Sequence, residues 1–222
     1  MYRVLTSTSS RSALASTATS TTARCMSSIG GGNFFPKTSA DSLLARKASS
    51  TSDEQTLPAM YNKVAFLGIG NMAQAILNPV INTGIQPANQ VTVFDKHDAT
   101  VESVLQNNPG VKAASSIREL VEGADLIVCA VKPQNITGKL MQEIREAPNK
   151  PSHGGTFLSV IAGVPLDTYR PTGYEKIVRS MPNTPAMIGR GMTVWCATNA
   201  LTMNERSRVQ AVLSCLGESV SR

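Results

Sequence analysis

From Tyr61 onward, short continuous apolar runs alternate with segments in which apolar residues recur every three to four positions. A run of four to six apolar residues suits a strand buried on both faces, and the longer spacing keeps one stripe of a helix apolar. Strands are expected at Lys63 to Leu67, Gln90 to Phe94, Val111 to Ala113, Asp125 to Ala130, Thr156 to Ile161 and Lys176 to Arg179. Helices are expected at Met72 to Thr83, Ala99 to Asn107, Ile117 to Glu122, Gln134 to Glu146 and Met203 to Leu216. Thr202 and Glu205 precede the last helix with the spacing of a capping box, in which each side chain satisfies the other's orphan amide. Short apolar strands alternating with helix-like segments predict an α/β fold, a doubly wound and mostly parallel sheet with helices on both faces.

Before Tyr61 the texture differs. Residues 1–60 are rich in Ser, Thr and Ala, carry Arg3, Arg11 and Arg24, and have no acidic residue before Asp41. Without an apolar stripe such a segment cannot offset the entropy of ordering, so disorder is expected. The Arg-rich, Ser-rich, acid-poor composition is that of an organelle transit peptide, with a mitochondrial address and processing between Arg24 and Ser27 as the reading. An unprocessed cytoplasmic tail and a plastid address stay open.

Charge and composition narrow the classes further. The net charge of +6 divides evenly, with six Lys/Arg against three Asp/Glu in residues 1–60 and fifteen against twelve in residues 61–222. The body is mildly basic, and no dense cation cluster or aromatic platform argues for nucleic acid. The longest apolar runs fall far short of the roughly 20 residues that span a bilayer, so no membrane span is expected. Cys25, Cys129, Cys196 and Cys215 lack the paired spacing of a zinc site and are expected as reduced, mostly buried thiols. His97 and His153 are too far apart for a helical metal pair, and no metal is expected.

The candidate chemistry sits after the first strand, where Leu67, Gly68, Ile69, Gly70, Asn71, Met72 and Ala73 lead into a helix. This is the dinucleotide fingerprint of a Rossmann-type fold with Ala in its third small position. The first glycine makes the tight turn, the second lets backbone approach a pyrophosphate, and the small third residue lets helix pack on strand. The helix N-terminus then offers free amides to the phosphates. The second strand ends at Asp95, 25 residues beyond Gly70. A carboxylate there suits a ribose 2′-hydroxyl and NADH, yet Lys96 and His97 follow at once and a cation could hold the 2′-phosphate of NADPH. A plain solvated strand–helix turn is the alternative for Asp95, Lys96 and Asp98.

Four segments occur in an order that resembles the pyrroline-5-carboxylate reductases. They are Gly68 to Ala73, Ala130-Val131-Lys132-Pro133, Ser159 to Val164, and Arg179-Ser180-Met181-Pro182-Asn183-Thr184-Pro185-Ala186, with Gly191-Met192-Thr193 beyond. The resemblance covers about Lys63 to Val220, and Met181 to Pro185 is its most specific part. That segment also argues against a hydroxy-acid dehydrogenase related to the phosphogluconate family. Ile161 departs from the family's usual Ala, and Ile117 stands near a position where the family often has a polar residue.

The resemblance implies reduction of 1-pyrroline-5-carboxylate to L-proline with NADPH or NADH. Leu67 to Met72 would hold the pyrophosphate, Asp95 and Lys96 would lie by the adenosine ribose, and Ala130, Val131, Lys132, Pro133 and Ala162 would line the nicotinamide side. Asn183 and Thr184 would face the imino-acid substrate. Lys132 is the nearest candidate for an electrostatic role, with a structural lysine at a strand end the plainer reading, and no catalytic residue is assigned. The family continues into an all-helical, dimer-forming, substrate-binding domain, which is absent before Arg222. The expectation is therefore cofactor binding with little proline formation, and a helix over Leu201 to Leu216 whose apolar face is partly uncovered. A non-catalytic dinucleotide-binding module, or a truncated gene product, is the alternative.

Overall fold

Strand β1 (Val64–Leu67) is buried at every position, as a central strand with helices above and below it must be. It pairs in parallel with β2 (Val91–Phe94) on one side and β4 (Leu126–Cys129) on the other, so that Leu67 stands level with both Phe94 and Cys129. The structure is a computed structural model that describes residues 60–148 and 154–222; the transit-peptide-like segment, Cys25 and His153 lie outside the described residues. β3 (Lys112–Ala113) flanks β2, while β5 (Thr156–Ser159) and β6 (Lys176–Pro182) continue the parallel sheet beyond β4. β7 (Gly191–Ala197) then runs antiparallel to β6, and β8 (Gly217–Ser221) pairs in parallel with β7. The resulting eight-stranded order is β3-β2-β1-β4-β5-β6-β7-β8. This is the doubly wound, mostly parallel sheet expected from the sequence.

Two apolar layers enclose it. On one face α1 (Asn71–Asn82), α2 (Asp98–Asn107) and α5 (Met203–Ser214) bury Ile76, Leu77, Val80, Val104, Val209 and Leu213 against Phe66, Val93, Val128 and Trp195. On the other, α3 (Ile117–Val121), α4 (Gly138–Arg145) and a 3-10 turn at Leu166–Thr172 bury Leu120, Leu140, Ile144 and Tyr169 against Leu67, Ile127 and Phe157. Ile161 is buried in this second layer and Ile117 packs against it, so both family departures are accommodated as core. The Thr202–Glu205 capping box forms as expected.

Several expectations need correction. The helix expected from Gln134 begins only at Gly138, because Thr137 accepts the Leu140 amide at 3.3 Å and Pro133–Asn135 form a separate 3-10 turn. Strands β7 and β8 were not expected, and β6 runs on to Pro182. The apolar face over Leu201 to Leu216 is not uncovered: Val209, Val212, Leu213 and Leu216 are buried in the first layer, since α5 packs on its own sheet. Exposed apolar surface lies instead on the other face of the β6–β8 edge, where Met181 is level with Val194 and Val194 with Val220. Of the described cysteines only Cys129 is buried, while Cys196 and Cys215 are half-buried. Among the described residues no helix is long and apolar enough to cross a membrane, and no three His, Cys, Asp or Glu side chains gather as metal ligands.

Candidate cofactor site

The parallel strands β1, β2, β4 and β5 end together, and their carboxyl ends bring separate sequence segments to one edge. The chain order reverses between β1 and β4, which is the switch point at which open α/β sheets form their ligand crevice. Gly68 opens the turn there with φ +84°, and its amide donates to the Phe94 carbonyl at 2.8 Å. A Cβ on Gly68 would stand 2.9 Å from the Val131 nitrogen and 3.0 Å from the Ala130 carbonyl, so backbone conformation and close approach both demand glycine. The Ala130 amide donates to the Leu67 carbonyl at 2.9 Å, joining the first and second recognised segments directly.

Gly70 differs in kind. Its φ is −69° and a Cβ there would meet nothing within 4 Å. No internal packing or backbone strain requires glycine at this position, and the open space is on the outer side of the turn. Gly70 is the N-cap of α1, no side chain caps that helix, and no acidic residue occupies its first turn. The first amides of a helix have no intrahelical partner, so this end presents donors and the positive end of a dipole to an anion. The residues present therefore fit a pyrophosphate. Ala73, fully buried, lets the helix lie close to the sheet.

Around this turn, Ile69 is buried, Gly70 and Asn71 are exposed and Met72 is half-buried. Asp95, half-buried at the end of β2, accepts the Ile69 amide on Oδ2 at 2.9 Å and the His97 amide on Oδ1 at 3.1 Å. Lys96 is exposed. Ala130 and Val131 are half-buried, while Lys132, Pro133 and Ala162 are exposed beyond the ends of β4 and β5. Asn183 and Thr184 are exposed at the end of β6, in a segment whose following turn, Thr184–Ile188, packs on α1. Asn183 Oδ1 accepts the Met192 amide at 2.9 Å, which fixes its side chain across the β6–β7 connection.

Two supporting contacts were not legible in the sequence. Ser159 Oγ lies 2.6 Å from Tyr169 Oη and accepts the Ile161 amide at 3.2 Å, so a fully buried pair braces the turn that carries Ala162. Burial pushes the Tyr169 hydroxyl up, against the opposing effect of its bond to Ser159. Cys129 lies beneath the Val131 amide, and burial pushes its thiol up to about 12 despite that hydrogen bond. It is a neutral packing group and no nucleophile. A pairing between residues 10 apart on a strand and a later turn leaves no periodic mark in sequence, which is why Ser159, though it opens the Ser159 to Val164 segment, gave no sign of its partner Tyr169.

Residues 63–163 match the family model described as NADP oxidoreductase coenzyme F420-dependent. The pyrroline-5-carboxylate reductase of Escherichia coli is 37% identical over 162 residues, which are 72% of this chain and 58% of that protein. Among solved structures, a pyrroline-5-carboxylate reductase from Coxiella burnetii is similar with a TM-score of 0.66 at 24% identity, over 73% of this chain and 59% of that one. A Plasmodium falciparum pyrroline carboxylate reductase with NADP bound gives a TM-score of 0.61 at 23% identity, over 74% of this chain and 58% of that one. The chain thus spans somewhat more than half the length of the relatives it matches. Over the matched residues the chain is similar in sequence to the Escherichia coli pyrroline-5-carboxylate reductase and similar in fold to the Coxiella burnetii and Plasmodium falciparum structures.

Proposed function

We propose that residues 61–222 are the dinucleotide-binding domain of an NAD(P)H-dependent reductase that converts 1-pyrroline-5-carboxylate, a small imino acid, to L-proline. The observation that carries this reading is the contrast between the two glycines: Gly68 is required by the protein's own packing, whereas Gly70 keeps open space at an uncapped helix N-terminus. The name of the Escherichia coli relative supports the substrate, and the Plasmodium falciparum relative with NADP bound supports the cofactor class.

In this reading the amides from Gly70 to Met72 hold the pyrophosphate beside Leu67, Gly68 and Ile69. Asp95 and Lys96 flank the adenosine ribose. Ala130 to Pro133 and Ala162 line the nicotinamide side, and Asn183 and Thr184 face the imine ring. When bound, the nicotinamide supplies the hydride for the C=N carbon. A protonated imine is already electrophilic, so the chain's contribution is to hold two rings in reacting geometry, a task that calls for no nucleophile or paired carboxylates. Residues before about Asn33 direct the protein to mitochondria. The composition of that segment supports the address, and a fluorescent fusion that stays cytosolic with an intact N-terminus would refute it.

Gly70→Val tests the cofactor site, because a branched side chain would fill the space a pyrophosphate needs. Calorimetry on the folded variant is expected to give at least about tenfold weaker NADH and NADPH binding, and unchanged affinity would remove the assignment. Proline formation is then measured for the chain alone and with a separately supplied helical domain of the family. Turnover in either arm supports the reaction, whereas cofactor binding without proline in both arms overturns it.

A further inference from the structure

We infer that this chain's cofactor corner discriminates against a 2′-phosphate, so that NADH is its preferred nucleotide and Asp95 is the specificity-determining residue. The inference rests on the cofactor site proposed above. Asp95 is tied to that site by geometry, since its Oδ2 accepts the amide of Ile69, the residue between the two fingerprint glycines, at 2.9 Å. Its Oδ1 accepts the His97 amide at 3.1 Å, so the carboxylate cannot swing away without abandoning two hydrogen bonds. A carboxylate has about four acceptor positions, and two backbone donors leave about two for ribose hydroxyls. The same fixed charge opposes a phosphate, which carries about −1.5 to −2 at neutral pH.

The surrounding charges do not reverse this. Between Asp95 and Glu102 stand three acids, Asp95, Asp98 and Glu102, against Lys96 as the one full cation. Asp98, Glu102 and Lys96 are exposed, and Asp98 lies in the first turn of α2, where its charge competes with any phosphate for the helix N-terminus. No ion pair among the described residues joins Asp95 to a cation that would neutralise it. A phosphate subsite built on Lys96 would sit in a locally negative field, and like charges placed together oppose binding.

The test is calorimetry of NADH and NADPH binding to the full 222-residue chain at low and high salt, with Asp95→Asn beside it. The wild-type chain is expected to bind NADH at least about tenfold more tightly than NADPH, with the gap narrowing as salt screens the repulsion. Asp95→Asn should close most of that gap by gaining affinity for NADPH. Equal or tighter NADPH binding by wild type, or NADPH affinity that falls with salt more steeply than NADH affinity, would overturn the inference while leaving the cofactor site intact. Failure to bind either nucleotide would reject the cofactor site itself and the inference with it. The wild-type ratio and its salt dependence decide the matter even if the variant does not fold.

Discussion

Gly68 and Val131 approach so closely that a single methyl group on Gly68 would stand 2.9 Å from the Val131 nitrogen. The contact joins the turn after β1 to the segment after β4, so two parts of the candidate site are held by backbone against backbone. Neither side can yield as a flexible side chain would. Gly68→Ala also places a Cβ at φ +84°, in the left-handed region. We expect a loss of about 2–4 kcal/mol from strain and overpacking together, measured by denaturant unfolding. Wild-type stability in this variant would mean that the turn relaxes without cost.

Ser159 and Tyr169 form a second bracing pair, fully buried and 2.6 Å apart. Tyr169→Phe keeps the ring, whose centroid is 5.2 Å from that of Phe157, and removes only the hydroxyl. Each single change, Tyr169→Phe or Ser159→Ala, is expected to cost about 1–3 kcal/mol by stranding a buried polar group. The double variant should lose less than the sum of the two, as a double-mutant cycle would reveal. Strict additivity would show that the two hydroxyls do not depend on each other.

Glu205 links the capping box to the sheet. Its carboxylate accepts from Lys176 Nζ at 2.6 Å and from the Thr202 amide at 2.9 Å. Burial pushes its pKa up, but the bonds from Lys176 and Thr202 outweigh this and leave it below the ordinary value of 4.5. A carboxyl depressed in the folded state contributes stability above its unfolded pKa, and that contribution is lost as pH falls through the folded value. Glu205→Gln should therefore cost about 1–3 kcal/mol at pH 7 and make unfolding free energy less sensitive to pH below about 4.5. Parallel stability profiles of variant and wild type across the acid range would contradict the assignment.

Cys129, with its thiol pushed up to about 12, is expected to resist alkylation at about pH 8 until the chain unfolds. Cys196 and Cys215 are half-buried and should react sooner. Peptide mapping after timed labelling reads the order directly, and early modification of Cys129 in folded protein would show that the layer beneath Val131 opens readily.

The local sequence determined what local rules can encode: the strand–turn–helix fingerprint, the Thr202–Glu205 cap, and the strands buried on both faces, whose continuous apolar runs reveal them. β7 escaped because only one of its faces is buried beneath α5, while Met192 and Val194 on the other stay exposed, so its composition does not read as a core strand. β8 is a mostly polar edge strand whose existence depends on pairing with β7. The site divides in the same way. Gly68 and Gly70 look alike in sequence, and only the fold, through the +84° φ of Gly68 and the neighbouring Ala130–Val131 backbone, distinguishes the glycine needed for the turn from the one that leaves space for a ligand. Asp95 was legible as an acid at the end of β2, but its two amide bonds, one of them to Ile69, needed the fold to appear. Residue spacing constrains neighbours along one element; contacts between the ends of different strands arise only when the sheet closes and burial forces those ends together.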